Sequence, residues 1–124
     1  QIEAAIPEKL QSGKTLLIRD EKTPSGRVHI GNMRSLALHA AMHERLEEAG
    51  VKSVFKFEIN DFDPMDGLPV YLDPTEYTQH MGKQLYKVPS PDPSVAPNFA
   101  EYYAKEYIEA ILESGFTPEF YRAS

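Results

Sequence analysis

The feature that most narrows the fold is the order of three hydrophobic patterns between residues 15 and 59. Thr15 to Arg19 (TLLIR) is a short apolar run with a Gly-Lys turn on one side and charges on the other, the mark of a buried strand. From about Gly31 to Ala49 the periodicity becomes helical. Met33, Leu36, Ala37, Ala40 and Ala41 share one stripe there, and Leu38, Met42 and Leu46 widen it. That stripe predicts a helix buried over its first half, and Gly50 supplies a left-handed stop. Val51 to Ile59 (VKSVFKFEI) returns to period two, with Phe55, Phe57 and Ile59 on one side and Val54, Lys56 and Glu58 on the other. Strand, helix and strand within about 45 residues make a βαβ unit, whose parallel strands need a crossover connection, expected to be right-handed.

The remainder extends this α/β pattern. Residues 61–97 hold most of the 10 prolines, which confines the segment to loops and short turns, with a brief helix expected around Thr75 to Gly82. Asn98 is placed to cap a further helix, with Glu101 three positions on to complete a capping-box-like pair. Ala100, Tyr103, Ala104, Tyr107, Ile108, Ile111 and Leu112 then repeat at helical spacing until Gly115. Phe116 to Arg122 follows as a third strand. Residues 1–14, with scattered Ile2, Ile6 and Leu10, read as a leading arm or short helix, which leaves residues 15–124 as one domain.

Composition removes several functions. Nineteen acidic against 13 basic side chains give a net charge of −6, so the chain as a whole does not carry the phosphate-neutralising surface of a nucleic-acid binder. The absence of cysteine excludes a disulfide framework, a thiolate zinc site and a cysteine nucleophile, and fits a reducing compartment. No apolar run approaches the ~20 residues of a membrane span, and no basic, apolar leader opens the chain, so a cytosolic location is expected. Gln1 in place of methionine suggests a piece trimmed from something longer.

Chemistry concentrates in Thr23-Pro24-Ser25-Gly26-Arg27-Val28-His29-Ile30-Gly31-Asn32, between the first strand and the first long helix. In an open parallel sheet, ligands bind beyond the carboxyl ends of the strands, and this segment occupies that place. Gly26 and Gly31 allow a ring or phosphate to approach the main chain closely. His29 and Asn32, three apart, share the positive end of the helix and, with free backbone N–H groups, suit a triphosphate. Lys22, Arg27 and Arg34 flank the loop. The second strand ends in Asn60-Asp61-Phe62-Asp63-Pro64, which delivers carboxylates to the same sheet edge, where they can meet an amine or a metal. No serine, lysine or cysteine stands beside a base as a covalent nucleophile, so the site is suited to binding and orienting.

TPSGRVHIGN resembles the HIGH signature of class I aminoacyl-tRNA synthetases, with Asn32 in place of the last histidine. TPSG, HIGN and NDFDPMDGLP in that order are similar to class I lysyl-tRNA synthetases, and the likeness continues through Tyr77, Gly82 and Pro89-Ser90-Pro91-Asp92 to the last helix. The resemblance implies the first half of a Rossmann-like (HUP-type) parallel sheet in an enzyme that activates lysine with ATP and Mg2+ and charges tRNA. It implies His29 and Asn32 as catalytic contacts to the ATP phosphates. Pro24, Ser25, Gly26 and Gly31 would join them in holding the nucleotide, the two glycine backbones accepting its adenosine part. Thr23, Asn60 and Asp61 would hold the amino acid. Two departures touch that last group: Asn60 replaces an expected aspartate, and Glu21 a small residue. The KMSKS-type loop and anticodon-binding region of such enzymes have no counterpart here, so tRNA contacts would lie mainly elsewhere.

Other readings attach to the same residues. Arg19 lines up with an arginine that glutamyl enzymes use on their substrate, which keeps an acidic amino acid as a rival. A nucleotidylyltransferase, or a non-catalytic nucleotide-binding or interaction module, would also carry such a loop. Ser12-Gly13-Lys14-Thr15 ends like a P-loop, but Glu8 stands at the first glycine position and the segment precedes a strand. His39, His43 and Glu47 have a spacing zinc can use, but no HExxH pattern, and read as helix surface. Tyr102, Tyr103 and Tyr107 read as core rather than as a base-stacking platform.

Overall fold

A computed structural model describes residues 13–124 of the chain; the expected arm at residues 1–14 lies almost wholly outside them. Strand β1 (Leu16–Lys22) is followed by helix α1 (Ile30–Glu48) and strand β2 (Ser53–Ile59). A short helix α2 (Pro74–Tyr77), two 3-10 turns (Thr78–His80 and Leu85–Lys87), helix α3 (Phe99–Glu113) and strand β3 (Glu119–Arg122) complete the order. The three strands form one parallel sheet in the order β1-β2-β3. This is the open, Rossmann-like arrangement that the sequence pattern requires.

Strand β1 extends past Arg19 through Asp20, Glu21 and Lys22, because seven residues pair in register with β2, from Leu16 against Ser53 to Lys22 against Ile59. The charged extension is tolerated because side chains alternate. Asp20 turns towards α1, while Arg19 and Glu21 turn to the other face, where Arg19 meets Glu21 at 3.0 Å and Glu58 at 3.5 Å.

Both long helices cover the same face of the sheet. Leu36, Ala40 and Leu46 of α1 and Ala104 and Ile111 of α3 pack on Ile18, Phe55, Phe57 and Ile59. The expected burial of α1 is therefore corrected: Met33 and Met42 are half-buried, while Ala37, Leu38 and Ala41 are exposed. A single sheet face can cover only one side of the helix, and the wider stripe points away from it. The helix stops as expected, with Gly50 at φ +77° and its N–H bonded to the Glu47 carbonyl.

The proline-rich segment is loop and short turns, as expected, and it is packed. Met65, Tyr77, Leu85 and Val88 surround Phe99, Ala100 and Tyr103 in a second core under the first turns of α3. The expected brief helix is present as α2, where Asp73 accepts from the Thr75 N–H, followed by a 3-10 turn. At α3 the Asn98 side chain accepts from the Glu101 N–H at 2.9 Å, but Glu101 does not return the bond. Its carboxylate instead takes two hydrogen bonds from Arg122 at the end of β3, at 2.6 and 3.0 Å. Because the strands are parallel, Thr23, Asn60 and Ala123 all emerge at one edge of the sheet.

Candidate functional site

The loop from β1 to α1 runs along that edge. It turns at once, with the Ser25 N–H donating to the Thr23 carbonyl at 2.9 Å, and buries Pro24. His29 is extended (φ −142°, ψ 168°) and starts the 19-residue helix α1. Of the first amides of the helix, that of Asn32 bonds back to the His29 carbonyl at 2.9 Å, while those of Ile30 and Gly31 lie at the positive end of the dipole with no carbonyl four residues back within the helix.

Asn32 is held in one orientation. Its Oδ1 accepts from the His29 backbone N–H at 2.8 Å and from the Tyr107 hydroxyl at 3.1 Å. With two donors on the oxygen, the amide Nδ2 is the end left to donate to a ligand. Tyr107 is buried in the middle of α3, and that burial, with the charges of Glu106 and Tyr71, pushes its phenol up to about 12. The phenol thus keeps its proton at neutral pH and always acts as the donor towards Asn32. The His29 ring is exposed and lies over Gly31, where a Cβ would sit 3.0 Å from its Cε1. Gly31 therefore makes room for the imidazole.

His29, Asn32 and Tyr107 line a cleft of about 340 Å³, together with Lys22, Ser25, Gly26 and Arg27. That is within the size range of small-ligand sites. Its lining carries the Lys22 and Arg27 cations, the His29 imidazole and two phenols, without a carboxylate, which suits a polyanion. Arg34 is exposed on α1 and is not part of the lining. A hollow of about 480 Å³ adjoins it across Arg27 and Tyr71, but includes Glu106 and Glu109 beside Lys105 and so fits an anion less well.

The residues expected at the amino acid stand at the same sheet edge, outside the cleft lining. Thr23 donates to Asp63 at 2.5 Å and so ties the loop after β1 to the loop after β2. Asn60 donates its backbone N–H to the Lys22 carbonyl, and its side chain is half-exposed. Asp61 is buried, its two oxygens accepting from the Ser124 N–H at 2.9 Å and the Ser124 hydroxyl at 2.6 Å. Arg19 lies between Glu21 and Glu58, and the nearby Glu58 carboxylate raises its pKa. Its charge is thus already matched by two carboxylates.

The histidines of α1 diverge. His39 Nδ1 is 3.3 Å from the buried Asp20 carboxylate, whereas His43 pairs with the Ser53 hydroxyl at 2.6 Å, which also meets Glu47. Among the described residues no three His, Cys, Asp or Glu side chains gather as a metal site. Tyr103 and Tyr107 are core, as their spacing indicates, while Tyr102 is half-buried.

Two residues of the site escape sequence reading. Tyr107 sits in an apolar stripe that explains it fully as core, yet its hydroxyl reaches Asn32, 75 residues away. Tyr71 lies in the proline-rich segment with no periodicity around it. Its hydroxyl accepts the Arg27 backbone N–H at 2.6 Å, and its ring lies 4.3 Å under the Arg27 guanidinium. No local signal points to either contact.

Comparison with known proteins identifies the family. The family model described as tRNA synthetases class I (K) matches residues 3–124. The chain is 35% identical over 113 residues to the lysine–tRNA ligase of Methanosarcina barkeri (strain Fusaro), covering 91% of this chain and 20% of that protein. It is 36% identical over 113 residues to lysine–tRNA ligase 1 of Methanosarcina acetivorans, covering 91% of this chain and 21% of that protein. For the lysine–tRNA ligase of Methanocaldococcus jannaschii the identity is 32% over 121 residues, covering 95% and 22%. The chain thus spans about a fifth of the length of the curated relatives it matches. With the family model covering nearly all of it and an open parallel sheet carrying the HIGN loop at its edge, the chain belongs to the class I (K) tRNA synthetases.

Proposed function

We propose that this chain supplies the nucleotide-binding part of a catalytic domain that activates lysine with ATP as lysyl-adenylate and passes it to tRNA. The observation that carries this reading is the fixed orientation of Asn32. Tyr107 and the His29 amide hold its oxygen, so its NH2 and the His29 imidazole present donors to one cationic cleft at the start of α1.

In the reaction, a lysine carboxylate oxygen bonds to the α-phosphorus of ATP as the bond from that phosphorus to its bridging oxygen breaks, releasing pyrophosphate. A hydroxyl of the terminal tRNA ribose then attacks the aminoacyl carbonyl, and AMP leaves. The part of this chain is positioning and electrostatic stabilisation. His29 and Asn32 donate to phosphate oxygens as negative charge builds on them, and Lys22 and Arg27 lower the local potential. Pro24 and Ser25 shape the turn, and Gly26 and Gly31, which leave room for the Tyr71 hydroxyl and the His29 ring, let that turn pass close to the nucleotide. Charge on the leaving pyrophosphate would be neutralised by magnesium. The cleft offers donors but no carboxylate, so the ion would be carried by the triphosphate.

Thr23, Asn60 and Asp61 form the amino-acid side of this reading. Asn60 offers its amide to the substrate, and Asp61 keeps the adjoining loop in place through Ser124. The surfaces that grip tRNA belong mainly to regions other than residues 1–124, in keeping with the net charge of −6. Among the described residues no helix is long and apolar enough to cross a membrane. The cytoplasm is the compartment this reading implies.

The test is exchange of pyrophosphate into ATP by the complete protein, screened with each standard amino acid. Lysine-dependent exchange is expected. Exchange with glutamate alone, or none with any amino acid, would overturn the assignment.

A further inference from the structure

Gly26 and Tyr71 meet across a gap of 45 positions in a way that neither the loop motif nor the proline-rich segment explains alone. The Tyr71 hydroxyl accepts the N–H of Arg27 at 2.6 Å. The same oxygen fills the space that the missing side chain of Gly26 leaves: a Cβ there would lie 2.6 Å from it, closer than real Cβ contacts come. The Tyr71 ring also lies beneath the Arg27 guanidinium, 4.3 Å from centroid to Cζ, close enough for a cation–π contact. Behind it, Tyr103 braces the ring at 6.5 Å between centroids, anchored in the core under α3.

We propose that Tyr71 is a positioning residue for the nucleotide loop. It fixes one backbone conformation at Gly26-Arg27 through the hydroxyl and one place for the Arg27 charge through the ring, so that the loop meets the triphosphate already ordered. The inference rests on the ATP reading above and deepens it. It also reassigns one group: the Arg27 amide is committed to Tyr71 and is not among the donors offered to phosphate. Gly26 is needed here because Tyr71 stands over it, and the pair should behave as one unit in mutation.

Tyr71→Phe removes the acceptor and keeps the ring over which Arg27 lies. Gly26→Ala forces a methyl group against the hydroxyl. In the double variant the obstructing oxygen is gone, and the next atoms, Pro69 Cγ at 3.5 Å and Tyr71 Cζ at 3.9 Å, are at ordinary contact distance. The two substitutions are therefore expected to compensate each other.

The experiment compares the complete wild-type protein with Y71F, G26A and G26A/Y71F by lysine-dependent pyrophosphate exchange and by thermal unfolding. Y71F is expected to raise the KM for ATP about fivefold to tenfold, the effect of one lost hydrogen bond, with the KM for lysine and kcat within about twofold. G26A is expected to lose at least about tenfold in kcat/KM for ATP and to unfold at a lower temperature, and the double variant to return to the Y71F level in both measurements. A double variant as impaired as G26A, a G26A protein equal to wild type, or Y71F with an unchanged KM for ATP would overturn the proposal. Wild-type protein with no lysine-dependent exchange would instead sink the functional reading; the unfolding temperatures of the four proteins would still decide whether Gly26 and Tyr71 are coupled.

Discussion

The Tyr107 hydroxyl donates to Asn32 Oδ1 across 3.1 Å, joining the middle of one helix to the first turn of another 75 residues earlier. The bond decides which end of the Asn32 amide faces the cleft. Tyr107→Phe keeps the ring in the core and removes only the donor, leaving the His29 N–H to orient the amide alone. The KM for ATP in pyrophosphate exchange is expected to rise by roughly fivefold, since one neutral hydrogen bond is worth about 1 kcal/mol, while the KM for lysine stays unchanged. An unchanged KM for ATP would show that the His29 amide suffices.

The same phenol gives a pH prediction. Burial raises the Tyr107 pKa from its usual 10.0 to about 12, so folded protein holds this proton more tightly than unfolded chain does. Its contribution is complete below pH 10 and is lost as pH rises towards about 12, by the sign of the proton linkage, on the order of 2 kcal/mol. Tyr103, raised by burial in the same way, adds to the loss. Urea unfolding measured from pH 8 to pH 12 should show stability falling only above about 10. Tyr107→Phe should fall less steeply there; an equal slope would place the alkaline sensitivity elsewhere.

The contrast between legible and illegible parts follows from sequence distance. The βαβ unit, the Gly50 stop and the place of the HIGN loop were all legible, because hydrophobic period and glycine position are local properties. Burial on α1 was misjudged because Ala37, Leu38 and Ala41 fit an apolar stripe, but the period of a helix does not say how many sides a sheet will cover. The loop chemistry was legible only as residue types. That Asn32 is oriented by Tyr107, or that Asp61 is occupied by Ser124, depends on contacts 75 and 63 residues apart, which no local pattern encodes. Glu101 is the instructive case, since its spacing from Asn98 fits a capping box, yet the guanidinium of Arg122 provides two charge-assisted bonds where the backbone provides one neutral donor.

His29 sits at the mouth of the cleft with its ring exposed, so its removal should disturb chemistry more than folding. If the imidazole donates to a phosphate oxygen whose charge grows in the transition state, His29→Ala costs on the order of 3 kcal/mol, or about 100-fold in adenylation. The thermal unfolding temperature should change little. A variant within about twofold of wild type in exchange would remove His29 from the mechanism.

Asn32 allows charge and shape to be separated. Asn32→Asp keeps an oxygen able to accept from the His29 amide and from Tyr107, so the local hydrogen bonds survive. A carboxylate in the first turn also favours the helix dipole, by about 0.5 kcal/mol, so stability should hold or rise slightly. Under the proposed ATP reading, binding should do the opposite: the group that would donate to the triphosphate becomes an anion with no hydrogen to give, and like charges repel in the cleft. ATP-dependent exchange is expected to fall by at least about 100-fold in kcat/KM while the unfolding temperature is maintained. Asn32→His restores a donor at the same position, the residue type of the full HIGH signature, and should retain activity within about tenfold. Loss of activity in both variants to the same degree would mean that this position acts through packing against Tyr107 rather than through a proton offered to phosphate.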